Sequence, residues 1–172
     1  MKNRITPTQR ELVMQADDFI VSKTDLSGRI TYCNETFIAM SGYTESELIG
    51  AQHNIVRHPD MPRGVFKLLW DCIKDGRECF AYVKNLCKDG SHYWVFANVT
   101  PDMDERHQAS GYFSVRRKPR PDAIRAIAGT YAEMLAEETR AGPRDATTAS
   151  LARLNEILTQ RGETYEEFIL SL

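Results

Sequence analysis

Arg57-His58-Pro59-Asp60 places a cation, a titratable ring and an anion within four residues. The planar guanidinium of Arg57 suits either a pyrophosphate or a ring. His58 and Asp60 can form a hydrogen-bonded pair that orients the loop. Asp60 can also act as the N-cap of the helix that follows, and both roles can hold together. Asn85 shares a strand face with Ala81 and Val83. If that face is inward, its amide needs partners, and a heteroaromatic edge supplies a donor and an acceptor at once. The competing reading is an edge-facing Asn bonded to backbone. Met61, Phe66, Trp70 and Ile73 recur at helical spacing, which means core packing first and cofactor contact second.

Other chemistries find no support. His53 and His58 with Asp60 fit no metal-ligand spacing. Ser41 and Ser114 lack an identifiable base, and no Gly-x-Ser-x-Gly occurs, so no enzyme is indicated. His92 precedes a strand and is expected to be exposed; His107 lies in a polar turn. The four cysteines, Cys33, Cys72, Cys79 and Cys87, show no Cys-x-x-Cys spacing and read as buried free thiols in a reducing cytoplasm. A net charge of −2 gives no bulk attraction to nucleic acid. The longest apolar run falls far short of the ~20 residues of a membrane span, and the N-terminus lacks an apolar signal core. With 172 residues, 42% of them apolar, the chain reads as one cytoplasmic globular domain with an appendage.

The elements that must position these residues follow from pattern. Phe19–Thr24 and Arg29–Cys33 are β-prone runs around a turn at Asp25-Leu26-Ser27-Gly28. Asn34 caps a short helix that Gly42 ends, and Thr44 with Glu47 forms a capping box for another. Pro62 suits the first turn of a helix that Gly76 stops. Cys79–Cys87, His92–Thr100 and Ser110–Arg117 are three further β runs. The order β-β-α-α-α-β-β-β predicts an α+β fold, a five-stranded antiparallel sheet with helices on one face. In the His92–Thr100 run both faces are apolar: Tyr93, Val95, Ala97 and Val99 on one, Trp94 and Phe96 with Asn98 on the other. The second face therefore needs cover from the N-terminal segment, the tail or a second subunit.

Two prolines in Lys118-Pro119-Arg120-Pro121 mark a boundary. We divide the chain into an N-terminal segment (1–17), a core (18–121) and a net-acidic C-terminal helical extension (122–172). The extension opens with Asp122 as its expected N-cap and a stripe of Ile124, Ile127, Ala128, Tyr131 and Leu135. A loop follows around Gly142-Pro143, then a stripe of Leu151, Leu154, Ile157 and Leu158, and a last helix capped by Thr164 and Glu167.

This order, with TDLSGRITYCNETFIAMSGYTESELIG, resembles a PAS domain. QHNIVRHPDMPRGVFKLLWDCIKDG, VKNLCKDGSHYWVFANVTP and SGYFSVRRKP narrow the likeness to the flavin-binding PAS domain of aerotaxis and energy-taxis receptors, over residues 18–118. The resemblance implies a fold wrapped around FAD whose redox state a signalling partner reads. It places Asn34, Arg57, His58, Asp60 and Asn85 at flavin-associated positions, and Trp70, Trp94 and Asn98, on a weaker match, at pocket positions. At Cys79 the chain departs from the family, which often has Trp there beside the flavin. A photoreceptor of the light-oxygen-voltage type would need a reactive Cys in HNIVRHPD, and there is none. That receptor family usually continues into a membrane anchor and a signalling domain; this chain ends after its helical extension, so it is expected to signal through a surface.

Three functions compete. The leading one is a cytoplasmic redox, oxygen or energy sensor holding FAD and passing a conformational change to an unidentified signalling partner, with a homodimer as the expected state. The second is a cofactor-free interaction module, which Cys79 favours. The third is a haem gas sensor with His58 as ligand.

Overall fold

The computed structural model describes residues 5–172; residues 1–4, the start of the expected N-terminal segment, lie outside the described residues. Strands β1 (Phe19–Asp25) and β2 (Ile30–Cys33) form the first hairpin. Helices α1 (Glu35–Ser41) and α2 (Glu45–Leu48), a 3-10 turn (His53–Val56) and α3 (Arg63–Lys74) follow. Strands β3 (Cys79–Leu86), β4 (His92–Met103) and β5 (Ala109–Arg117) complete a sheet ordered β2-β1-β5-β4-β3, every neighbour antiparallel. The return of β5 beside β1 puts the two ends of the core in the middle of the sheet, with α1 to α3 over one face.

Local chemistry sets the joints. Asn34 Oδ1 accepts from Phe37 N (3.1 Å) and Val21 N (3.0 Å), while its Nδ2 donates to the Phe19 carbonyl (2.8 Å), so one side chain caps α1 and ties it to β1. Gly42 ends α1 at φ 73°, a conformation that costs glycine nothing. Both expected capping boxes, Thr44 with Glu47 and Thr164 with Glu167, are present. Two expected caps move. Pro62, not Asp60, holds the N-cap position of α3, because the Asp60 carboxylate is engaged by Lys84 Nζ at 2.7 Å. Arg120, not Asp122, precedes the tail helix, because Pro121 takes the first helical position.

The tail is α4 (Pro121–Arg161) and α5 (Tyr165–Ser171). Gly142, at φ 79° and ψ 172°, breaks α4 into two arms. Arg153 on the second arm reaches Glu133 on the first, so the arms fold back as a helical hairpin. Their stripes enter the same core as the sheet: Ile127, Tyr131, Met134, Leu154, Leu158, Phe168 and Ile169 are all buried with it. Tyr131 stacks on Trp94 (centroids 6.4 Å apart) and donates its hydroxyl to the Tyr82 carbonyl at 2.7 Å. The Tyr165 hydroxyl donates to the Phe80 carbonyl at 3.0 Å. The tail thus covers the β3–β4 side of the second sheet face, while Phe19 and Tyr32 on the β1–β2 side stay exposed.

The N-terminal segment runs beside the start of β4, with Leu12 N donating to the His92 carbonyl at 2.8 Å and Met14 buried. His92, expected to be exposed, is buried by this segment and by His58. Among the described residues no helix is long and apolar enough to cross a membrane, and no cluster of three or more His, Cys, Asp or Glu could hold a metal ion.

Candidate ligand-binding site

A cavity of ≈ 230 Å³ lies between the inner sheet face and the segment running from the 3-10 turn through α3. Its apolar walls are Val56, Phe66, Leu69, Trp70 and Ile73 from the helical side and Val83, Ala97 and Val99 from the sheet. Period-2 alternation explains the sheet's share: Val83 and Asn85 on β3, Ala97 and Val99 on β4, and Tyr112, Ser114 and Arg116 on β5 all point inward. The volume lies just below the ~300–1,000 Å³ of pockets that enclose whole drug-sized ligands. It suits a ring system.

Of the eight residues singled out in the sequence, three line this cavity: Arg57, Trp70 and Asn85. Asn85 is 4% exposed, and its backbone bridges that of Arg57 across the β3 edge. The Arg57 guanidinium sits 4.3 Å from the Phe66 ring centroid and donates to the Met61 carbonyl at 3.3 Å. It is partly buried, which lowers its pKa from the ordinary arginine value. Trp70 packs edge-on to Tyr112 at 5.5 Å, its far ring edge against Gly28 at the cavity rim.

The other five lie elsewhere. Asn34 is spent on backbone, as described above. His58 is buried behind the wall; its Nδ1 accepts from Asp60 N at 3.1 Å and its ring meets His92 edge-on at 5.6 Å. Burial, with the Lys84 charge nearby, pushes its pKa down to about 4, so it is neutral at pH 7. Burial works against the Asp60 carboxylate, but the Lys84 ammonium holds its pKa below the usual value. Asp60 therefore pins the loop to β3 through Lys84, and the expected His58–Asp60 pair is present beside it, through the Asp60 backbone N–H and a carboxylate oxygen 3.5 Å from Nδ1. Trp94 and Asn98 alternate to the opposite sheet face: Trp94 meets Tyr131, and Asn98 Nδ2 donates to Glu78 at 2.9 Å. A pocket role for these two is corrected by the direction of the strand. Cys79 stands just behind the cavity, packed with Ile73 and Tyr112, its thiol pushed up to about 12 by burial with Cys72 beside it. None of the four cysteines is among the lining residues.

The residues the sequence reading missed form a polar cluster at the β1–β5 side. Arg116, 3% exposed, stacks over the Phe37 ring (4.6 Å) and donates through Nη2 to Ser22 Oγ. Its Nε and Nη1 have no hydrogen-bond partner among the described residues. Ser22 Oγ lies 3.1 Å from His53 Nε2, and His53 stacks on Phe37. Burial and the Arg116 charge push the pKa of His53 down to about 3. The available signal was the alternation of Tyr112, Ser114 and Arg116, which separates an inward Arg116 from an outward Arg117 once the register is known.

Unfilled buried donors beside apolar walls are what a heteroaromatic ligand with an acceptor-rich edge completes. On that test the residues fit a flavin ring: apolar walls, an amide at Asn85 and a buried cation at Arg116 all line the cavity.

A family model described as the PAS fold matches residues 30–116. The chain is 42% identical over 132 residues to the aerotaxis receptor of Escherichia coli (strain K12), which covers 77% of this chain and 26% of the receptor. It is 24% identical over 97 residues to the nitrogen fixation regulatory protein of Klebsiella pneumoniae, 56% of this chain and 20% of that protein. The chain thus spans about a quarter or less of the length of these relatives. Among solved structures, a light-oxygen-voltage domain studied with a flavin analogue matches with a TM-score of 0.57 at 21% identity, covering 67% of this chain and 86% of that one. The blue-light photoreceptor Aureochrome1 LOV in its dark state matches with a TM-score of 0.55 at 22% identity, covering 64% and 81%. At these identities the likeness to solved structures is one of fold.

Proposed function

Because this chain belongs to the PAS fold family, we propose that it is a sensory module whose cavity holds the ring of a flavin, FAD, and whose state is read by a signalling partner in the cytoplasm. The observation that carries this reading is the cavity itself: apolar walls with Asn85 and the buried cation Arg116 among its lining residues. The aerotaxis receptor among its relatives supports a sensory role. When bound, the flavin supplies reversible electron uptake, so the charge in the cavity would follow the redox state of the surroundings. The chain's own residues then have separate tasks. Phe66, Trp70 and Val83 exclude water, Asn85 orients a polar edge, and Asp60 with Lys84 fixes the loop that presents Arg57.

The output runs through α3. Phe66, Leu69 and Trp70 line the cavity from this helix, and its first turn is held by the tail: Gly64 N donates to Ser150 Oγ at 3.0 Å, Arg63 N to Glu138, and Arg63 Nη1 to the Pro143 carbonyl at 3.3 Å. A shift of the cavity wall would therefore reach the helical hairpin directly. The exposed Phe19 and Tyr32 support pairing with a second copy on the uncovered side of the sheet.

The cofactor-free alternative rests on Cys79, which packs with Ile73 and Tyr112 and does not line the cavity. The haem alternative named His58 as the ligand, and His58 does not line the cavity. The absorption spectrum of the purified chain tests all three readings: two visible bands for flavin, a Soret band for haem, no visible absorption for the cofactor-free module.

A further inference from the structure

Arg57 is the cation the sequence points to, yet its guanidinium already has the Phe66 ring and the Met61 carbonyl. Arg116 likewise has one ring, Phe37, and one acceptor, Ser22 Oγ, and differs in its deeper burial and its remaining donors. It is 3% exposed, lines the cavity, and keeps two donors unfilled. No carboxylate is among the groups acting on it in the described residues, and its neighbours do not balance its charge. Ser22 is neutral, His53 is neutral at pH 7, and burial raises the pKa of the Tyr93 phenol so that it stays protonated. A buried guanidinium with no counter-charge burdens the empty fold, because desolvation disfavours an unpaired cation.

We propose that Arg116 selects the charge of what the cavity holds, favouring a ligand with an electron-rich acceptor edge and, for a flavin, the reduced anionic ring over the oxidised neutral one. This rests on the flavin reading above and adds a residue that sets the preference. The ring takes up two electrons and one proton to reach that form, and its negative charge then meets a cation in a site of low dielectric. A residue kept for a ligand and at odds with the empty fold has a signature that a structural arginine lacks: its removal weakens binding while it spares or stabilises the ligand-free protein.

The test uses the full chain as wild type, Arg116→Met and Arg116→Lys. FAD is titrated without oxygen, once oxidised and once reduced by dithionite, which supplies the electrons; the ligand-free proteins are melted in parallel. Wild type is expected to bind reduced FAD more tightly than oxidised FAD. Arg116→Met should lose tenfold or more of that ratio, and each tenfold lowers the two-electron midpoint by about 30 mV. Arg116→Lys should keep much of the preference, and ligand-free Arg116→Met should melt at or above wild type. An unchanged affinity ratio in Arg116→Met that still binds FAD overturns the inference and leaves the flavin reading standing. A ligand-free Arg116→Met that melts below wild type also overturns it, since that is the mark of a structural arginine. If wild type takes up no FAD, the flavin reading fails instead; the melting comparison then decides, a gain supporting a ligand-reserved Arg116 and a loss overturning it.

Discussion

At the scale of residues, two neutral imidazoles are built into the walls of the fold. The pKa of His53 is pushed down to about 3 by burial and Arg116, and that of His58 to about 4 by burial and Lys84. An unfolded imidazole titrates near 6.5. Between about pH 6.5 and pH 4 the unfolded chain therefore binds more protons than the folded one, and stability falls as pH falls. Each imidazole contributes up to about 1.4 kcal/mol per pH unit in that window. His53→Asn should flatten the slope of unfolding free energy against pH by about one proton's worth; urea melts at pH 7 and pH 5 measure it, and an unchanged slope would show His53 to be protonated in the fold. Asn85→Ala should weaken flavin binding by about one to two decades with little change in the ligand-free melt; equal retention in a flavin titration would return Asn85 to a backbone-bonded role. Arg57, Trp70 and Asn85 were legible as candidates because type and periodicity mark them. Arg116 was not, because a pair of adjacent arginines at a strand end looks the same whichever one turns inward. Trp94 and Asn98 were misplaced for the same reason: both faces of β4 are apolar, so composition alone does not say which faces the helices.

At the scale of elements, α3 stands between the cavity and the tail. A Cβ on Gly64 would run into Ser150 Oγ and crowd the Leu151 backbone, so glycine permits the close approach of α3 to α4. Gly64→Ala should loosen the tail from the core at a cost of about 1–3 kcal/mol; hydrogen exchange in α4 should quicken, and unaltered protection there would show that the contact adjusts freely. Tyr131→Phe removes one bond to a buried carbonyl and should cost about 1–2 kcal/mol in chemical denaturation without changing the denaturant slope. The element order, both capping boxes, Asn34 as a cap and the break at Gly142 were readable because capping and turn chemistry are local. The caps expected at Asp60 and Asp122 were not. Lys84 reaches Asp60 from a strand distant in sequence, and Pro121 takes the helix start beside Asp122.

At the scale of the whole molecule, the tail belongs to the same core as the sheet, with Ile127, Met134, Leu154 and Ile169 almost wholly buried beside strand residues. The sequence showed that the second sheet face needed cover and offered three sources. The structure brings the tail to its β3–β4 side, a choice that depends on how the hairpin of α4 folds back, which no local pattern records. This arrangement underlies the proposal that the cavity is a flavin site whose wall the tail reads. The absorption spectrum of the full chain, purified and then supplemented with FAD, tests it most directly. The account predicts two visible flavin bands and release of FAD on denaturation. A colourless protein that leaves added FAD free in solution would contradict it.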